Sequence, residues 1–426
     1  MIDLETIFDG RVLQVMSIAP ALLGFFLAFV LVTVGLMRIL PGPFRKPLLL
    51  VSSLLFGQLF LDPLIAGVVL AVTLLLYVIQ WKLPAGRVRL LAAAALLGLV
   101  FVPFCLSGVI QDRAHGNPDY FAGNLVLVVV FFKRAVYYCY ELHHGRIRRR
   151  GPVDFLVGFL SLPFLLGRAP IVSHSHLWER HGPVDRRALW SGAKTTLFAV
   201  LHLVAMGLLA WRYFDIPFDA HLAENIHRIP YGELLLLLGL NYLAFYLFRY
   251  GHDQLSVGAA RLLGFAIDDN YVNPLAATDY ADFWRRWNIH FRQMLVSMFY
   301  YPVVLWLSRR NPRRKALNVI GACTAVFTAH GFFMLFTMGM FVPTGDGQHW
   351  LELAASLVIY EILQISLTAG SLLLLGRAHR TGRWRWVGIP LGVSLTFTLR
   401  ALMLLLIWRR GMSLTGAAVV LMALMP

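Results

Sequence analysis

Charge is scarce in this chain. Of its 426 residues only 14% are Asp, Glu, Lys or Arg, against 58% that are hydrophobic, and the mean hydropathy is +0.68. A soluble domain carries about 25% charged and 45–50% apolar residues, so the shortage excludes soluble enzymes, secreted domains and disordered regulators together. Cysteine is nearly missing as well. Cys105, Cys139 and Cys323 stand far apart in apolar stretches, which excludes a disulfide framework or a cysteine zinc site and leaves them as small buried hydrophobes. Also lacking are the short alternating segments of an outer-membrane barrel, about 10 residues per strand, and any P-loop, dinucleotide-binding glycine pattern or nucleophile elbow. Residues 1–10 carry acids and none of the basic region or small-residue cleavage site of a secretory signal, so the first apolar run is expected to be retained.

What the chain has in place of charge is continuous apolar sequence, rich in Leu, Ala and Val. About 20 residues at 1.5 Å each cross a hydrocarbon core of about 30 Å. Runs of that kind are expected near 13–37, 47–61, 63–81, 88–110, 120–141, 153–167, 191–213, 230–249, 290–307, 316–341, 351–376, 387–408 and 412–425. The pattern describes an all-α, polytopic integral membrane protein of about 11–13 membrane helices plus re-entrant segments. The net charge of +16 comes from 38 Lys and Arg against 22 Asp and Glu. It resides in short loops, notably Arg45 with Lys46, Lys82 with Arg87 and Arg89, and the cluster Arg146, Arg148, Arg149 and Arg150. Basic loops alternate with neutral ones, which points the N-terminus away from the cytoplasm, fits contact with anionic lipid and argues against nucleic acid as a partner.

Two stretches break the apolar pattern. Residues 252–289 mix apolar patches with His252, Asp253, Asp268, Asp269, Asn270 and Asp282, and are expected to form a re-entrant or interfacial segment beside a cavity. Residues 168–190 are expected to be a partly embedded connection. Here His174 and His176 form a His-x-His, but no third ligand stands at a recognisable spacing, so no metal site is expected. Inside the spans, ionisable groups are costly and are functional candidates by default. His330, in Phe327-Thr328-Ala329-His330-Gly331, follows the basic cluster Arg309 to Lys315 by about 15 residues, roughly 22 Å along a helix and near mid-membrane. An imidazole there can accept and return a proton, or serve as a helix-packing hydrogen-bond partner.

The second constellation is Asp279-Tyr280-Ala281-Asp282-Phe283-Trp284-Arg285-Arg286-Trp287-Asn288-Ile289-His290-Phe291-Arg292. Trp284, Trp287 and Phe291 recur at three and four residues, which predicts one aromatic helical face. Arg285, Arg286 and Arg292 can reach lipid headgroups or an anionic donor; an aromatic and basic interfacial anchor accounts for the same residues.

The run Asp282-Phe283-Trp284-Arg285-Arg286-Trp287-Asn288, followed by Tyr300-Tyr301-Pro302 and then His330-Gly331, resembles the signature of membrane-bound O-acyltransferases. Leu263-Gly264-Phe265 and Asn273-Pro274 resemble the approach to that motif in bacterial polysaccharide O-acetylases and teichoic-acid D-alanyl transferases. The motifs occupy about residues 262–332. Gly167-Arg168-Ala169-Pro170 resembles, weakly, a Gly-Pro connection of the same family.

The resemblance implies one membrane-embedded acyltransferase domain, with N-terminal helices over 1–167, a catalytic core over 168–341 and C-terminal helices over 342–426. It implies a short acyl group, acetyl first and D-alanyl or another carrier-bound group as the alternative. The donor would be a cytoplasmic thioester, acetyl-CoA or an acyl carrier protein, with no tightly bound cofactor. The acceptor would be a hydroxyl of an exported glycan or another envelope molecule, possible help coming from a periplasmic acyl-handling protein, in a bacterial inner membrane. His330 and Asn288 match the two polar signature positions, His330 as the base. Trp284, Arg285, Arg286, Trp287, Asp282 and His290 would bind substrate. Asn288 departs from the histidine usual in the bacterial branch, and an amide can donate to a carbonyl but cannot act as a base. A transporter or flippase is the reading from a different class, although the paired interrupted helices of two related halves are not apparent.

Overall fold

The computed structural model describes residues 20–84, 86–106, 118–147, 150–165, 170–179, 185–213, 231–277, 279–339 and 347–375. The described residues are predominantly helical and none forms a strand. In chain order the helices are α1 (Pro20–Ile39), α2 (Gly42–Phe60), α3 (Pro63–Lys82), α4 (Arg87–Leu106), α5 (Pro118–His143), α6 (Pro152–Leu160) and α7 (His174–Glu179). They continue with α8 (Arg186–Tyr213), α9 (Tyr231–Leu262), α10 (Tyr280–Arg286), α11 (Ile289–Leu295), α12 (Tyr301–Arg310), α13 (Lys315–Gly339) and α14 (Gly347–Gly370). π-helical turns occupy Val296–Tyr300 and Ser371–Leu375. Among the described residues three helices are long and apolar enough to cross a membrane: α3, α8 over Arg186–Leu209, and α13 over Lys315–Leu335. The chain divides into two compact units, the first of residues 1–212 and 247–269, the second of 213–246 and 270–426.

Within the first unit, local chemistry sets the helix ends. Asp62 caps α3, its Oδ1 accepting from the N–H of Leu64 at 2.8 Å and of Ile65 at 3.1 Å. Pro63 takes the first helical position, where a missing N–H costs nothing. The helix then buries Ile65, Val69, Val72, Leu76 and Gln80 on one face and exposes Leu64, Leu74, Leu75 and Val78 on the other. A helix apolar all round suits lipid outside and protein inside. Helices α1 and α2 pack through Phe26, Phe29, Phe56 and Phe60. Ser53 of α2 accepts from the N–H of Leu162 at 2.8 Å, so a buried hydroxyl ties two segments. Helices α8 and α9 meet at glycines. A Cβ on Gly258 would stand 2.3 Å from the Thr196 hydroxyl, and one on Gly192 2.7 Å from the Leu262 nitrogen, so only glycine permits that approach.

Several boundaries differ from expectation. The run 153–167 is not a span: α6 has nine residues, about 14 Å, and ends because Pro163 supplies no N–H and its ring crowds the preceding turn. The carbonyls this leaves at Gly158 and Phe159 are met by the buried Arg134 guanidinium, which also lies 4.1 Å over the Phe164 ring. The span expected at 230–249 continues as α9 to Leu262, so His252 and Asp253 are helical, and among the described residues of 252–289 the irregular backbone falls at 263–273, 277, 279 and 287–288. The run 290–307 is helical but passes from α11 through a π turn into α12. Cys139 and Cys323 are buried free thiols. The expected spans 387–408 and 412–425, the side chain of Cys105, Arg148 with Arg149, and Gly167-Arg168-Ala169 lie outside the described residues.

Candidate active site

The candidate chemistry lies in the second unit, where the apolar helices α13 and α14 carry isolated polar residues into their contact. His330 of α13 is fully buried. Its Nδ1 is 2.7 Å from Oε1 of Glu361 on α14. Gly331 makes room for that pairing, since a Cβ there would stand 2.9 Å from Cγ of Glu361. An ionised carboxylate only accepts, so a neutral imidazole facing an ionised Glu361 would carry its proton on Nδ1 and its lone pair on Nε2. Nε2 is buried and has no hydrogen-bond partner among the described residues.

Glu361 belongs to a polar stripe. Glu361, Gln364, Thr368 and Ser371 follow one another at intervals of three or four residues and are all buried, which places them along one side of the helix and the turn beyond it. Gln364 Oε1 accepts from the hydroxyl of Tyr280 and, at 3.1 Å, from Nε1 of Trp284. Trp284 is thereby held beside the imidazole, the ring centroids being 5.7 Å apart. Phe291 at 5.8 Å, Phe327 at 6.3 Å and Tyr360 at 6.4 Å complete an aromatic surround.

The motif residues thus divide into two groups. Trp284 and Phe291 reach His330, but not from one continuous helical face as the spacing predicts, because the helix breaks between them. Helix α10 ends at Arg286 and α11 begins at Ile289; between them Asn288 adopts φ 43° and ψ 55°. Asparagine is among the few side chains that tolerate this left-handed backbone. Its Oδ1 accepts from Nδ2 of Asn270 at 3.2 Å, while Asn270 also receives the N–H groups of Ile289 at 2.9 Å and His290 at 3.1 Å. Asn288 is therefore the bend of an elbow, with no described hydrogen bond or ring contact to His330. Trp287 packs on Tyr246, Tyr271 and Phe283 instead of on the imidazole, and buried His290 lies at the start of α11.

Asp282 holds Arg286, Nε to Oδ2 at 2.9 Å, and meets Arg285 at 3.5 Å. Its own N–H donates to Asp279, the α10 cap. These residues join one local network, and Arg285 extends from it to line a cavity together with Trp284.

Glu361 and Gln364 were not among the residues singled out from the sequence. The signal was present: Glu361 is an acid inside the apolar run 351–376, and the rule that marks His330 applies to it equally. The His-x-His resolves differently. In the first unit His174 is buried against Phe159 and Tyr138, and burial, aided by the charge of Arg134, pushes its imidazole well below the usual range. Among the described residues, no three His, Cys, Asp or Glu side chains gather as metal ligands. In comparisons with known proteins, the sequence matches no family model and no curated protein.

Proposed function

We propose that this chain is a multi-pass membrane O-acyltransferase of the bacterial inner membrane, resembling the membrane-bound O-acyltransferases. It would move a short acyl group, acetyl in the simplest case, from a cytoplasmic thioester to a hydroxyl of an exported glycan or another envelope acceptor. The observation that carries the reading is the buried His330–Glu361 pair, 2.7 Å apart, with Nε2 left without a partner. Nε2 takes the proton of the acceptor hydroxyl as its oxygen bonds to the thioester carbonyl carbon. The C–S bond then breaks, and the imidazolium returns the proton to the departing thiolate. Glu361 fixes the tautomer and stabilises the imidazolium while it exists. Trp284, positioned by Gln364, and Phe291 keep water from the imidazole, which favours transfer over hydrolysis. Asn288 is assigned a positioning role, setting the elbow between the helices that carry those two rings.

The test is the ester-linked acyl content of surface glycans, released by mild alkali and identified by mass spectrometry. A strain lacking the gene is complemented with wild type or with His330→Ala at equal expression. The expected outcome is ester restored by wild type alone, with the released acid naming the acyl group. Equal restoration by both proteins would remove His330 as the base. No ester in either strain, with acceptor lipids and proteins also unmodified, would remove the acyl-transfer reading.

A further inference from the structure

The resemblance gives the place of an amide donor to Asn288, yet the structure uses Asn288 as the elbow between α10 and α11. Another amide belongs to the His330 surround. Gln364 is fully buried on α14, three residues beyond Glu361, so the two side chains leave the helix on the same side. Glu361 meets Nδ1 of His330 at 2.7 Å, and Gln364 holds Trp284, whose ring is 5.7 Å from the same imidazole.

The two ends of a glutamine amide are told apart by the groups that meet them. An indole N–H only donates, so the atom that Trp284 meets at 3.1 Å is the oxygen. The Tyr280 hydroxyl donates to that oxygen as well. With its oxygen taken twice the amide cannot turn over, and Nε2 is fixed at the other end. Nε2 is buried and has no hydrogen-bond partner among the described residues. Oε2 of the neighbouring Glu361 has none either, so the two side chains do not satisfy each other. Two hydrogen bonds into the amide carbonyl draw charge towards its oxygen and strengthen the N–H groups as donors. A polarised donor, locked in place within an aromatic surround, is suited to stabilise negative charge as it develops.

We propose that Gln364 supplies the N–H that stabilises the oxyanion of the transfer step, a role that rests on the acyl-transfer reading above. As the acceptor oxygen bonds to the thioester carbonyl carbon, the π pair of the carbonyl moves onto its oxygen, and Nε2 of Gln364 donates to that oxygen. When the C–S bond breaks, the pair re-forms the carbonyl of the ester, and the thiolate takes the proton that His330 returns. Helix α14 thereby serves the reaction twice, through Glu361 behind the base and through Gln364 at the oxyanion.

The experiment follows the initial rate at which alkali-labile ester appears in the strain lacking the gene, after induction of wild type or a variant to equal membrane levels. The Tm of each purified full chain in nanodiscs is read beside it. Gln364→Met keeps the length of the side chain and removes the amide; the rate is expected to fall by about 10²- to 10³-fold, the loss of one oxyanion donor. Trp284→Phe and Tyr280→Phe each remove one bond to the amide oxygen while keeping a ring, and each should cost about tenfold or less, as for one neutral hydrogen bond. Should Gln364→Met melt well below wild type, Gln364→Glu takes its place with the same expected loss, because a carboxylate accepts from Trp284 and Tyr280 but has no N–H to give. A folded Gln364 variant within about tenfold of wild type, or a Trp284→Phe rate as low as that of Gln364→Met, would overturn the proposal and leave the glutamine as the holder of a ring. Absence of ester with wild type, on glycans, lipids and proteins alike, would remove the acyl-transfer reading and this assignment together. Ester made equally fast by wild type and Gln364→Met would remove this assignment alone.

Discussion

Each unit of the molecule buries a histidine near a glutamate, and the two pairs behave differently. In the first, Glu141 is committed to the backbone and side chains around it. Its Oε2 accepts from the N–H of His174 at 2.8 Å, its Oε1 from the Ser173 hydroxyl, and the His174 ring lies 3.9 Å away. In the second, Glu361 makes one described bond, to His330 at 2.7 Å, and Oε2 has no partner among the described residues. The first carboxylate ties helix α5 to the start of α7. The second orients an imidazole whose other nitrogen is available. What separates the pairs is the carboxylate, at hydrogen-bond distance from the His330 ring and 3.9 Å from that of His174, and a buried imidazole so paired is a candidate for chemistry.

Substituting the two histidines should separate them most widely. His330→Ala is expected to lower acyl transfer by about 10²- to 10⁴-fold, the range of a lost general base, in a protein that still folds. His174→Ala should leave the turnover of folded protein near wild type while lowering its Tm, because it empties a packed site. A steady-state assay normalised to folded protein, read beside a melt, decides this. Comparable loss of turnover in both would erase the distinction.

The glutamates should divide in the same way but less sharply. Glu361→Gln can still accept from Nδ1 but cannot stabilise an imidazolium, so a fall in kcat of roughly 10- to 100-fold is expected, about 1.4–2.7 kcal/mol, with a displaced pH profile. Glu141→Gln should lower stability by about 1–3 kcal/mol through unsatisfied buried groups and leave the pH profile unmoved.

Asn288 sharpens the contrast between chemistry and positioning. Asn288→Ala places a Cβ-bearing residue without local hydrogen bonding at positive φ, costing about 1–2 kcal/mol. Asn288→Gly keeps the backbone free and should retain more activity. A donor or acceptor contact made by the amide itself would instead give equal losses in the two variants, read as kcat against KM.

The smallest effect concerns pH. His174 is held neutral by burial, below its unfolded value of about 6.5. The unfolded chain therefore binds the extra proton as pH falls through that value, and stability declines below about pH 6.5, being fully present above it. Tm measured from pH 7.5 to 5 should fall more in wild type than in His174→Leu.

Much of the architecture was legible in composition. Long uncharged runs made an all-helical, lipid-facing protein the economical reading, and α3, α8 and α13 meet the length and hydropathy it requires. His330 stood out because an imidazole in such a run is expensive. The breaks in helices were less legible. Pro163 stops α6, but whether its freed carbonyls could be satisfied depended on Arg134, which is 29 residues earlier in the sequence. The elbow at Asn288 was hidden because the three-and-four spacing of Trp284, Trp287 and Phe291 mimics a continuous helix, while its cause, the bonds to Asn270, comes from a distant turn.

The sequence by itself determined a helical chain with runs long and apolar enough to cross a membrane, and it marked isolated polar residues in those runs as candidates, because hydropathy and charge act locally and add along the chain. Only the tertiary structure decided that Glu361, 31 residues from His330, is its partner, that Trp284 faces the imidazole while Trp287 does not, and that Arg292 shares a cavity with Arg285. Hydrogen bonds and pairings of that kind depend on distances of a few ångströms between helices, and no spacing within a single helix encodes them.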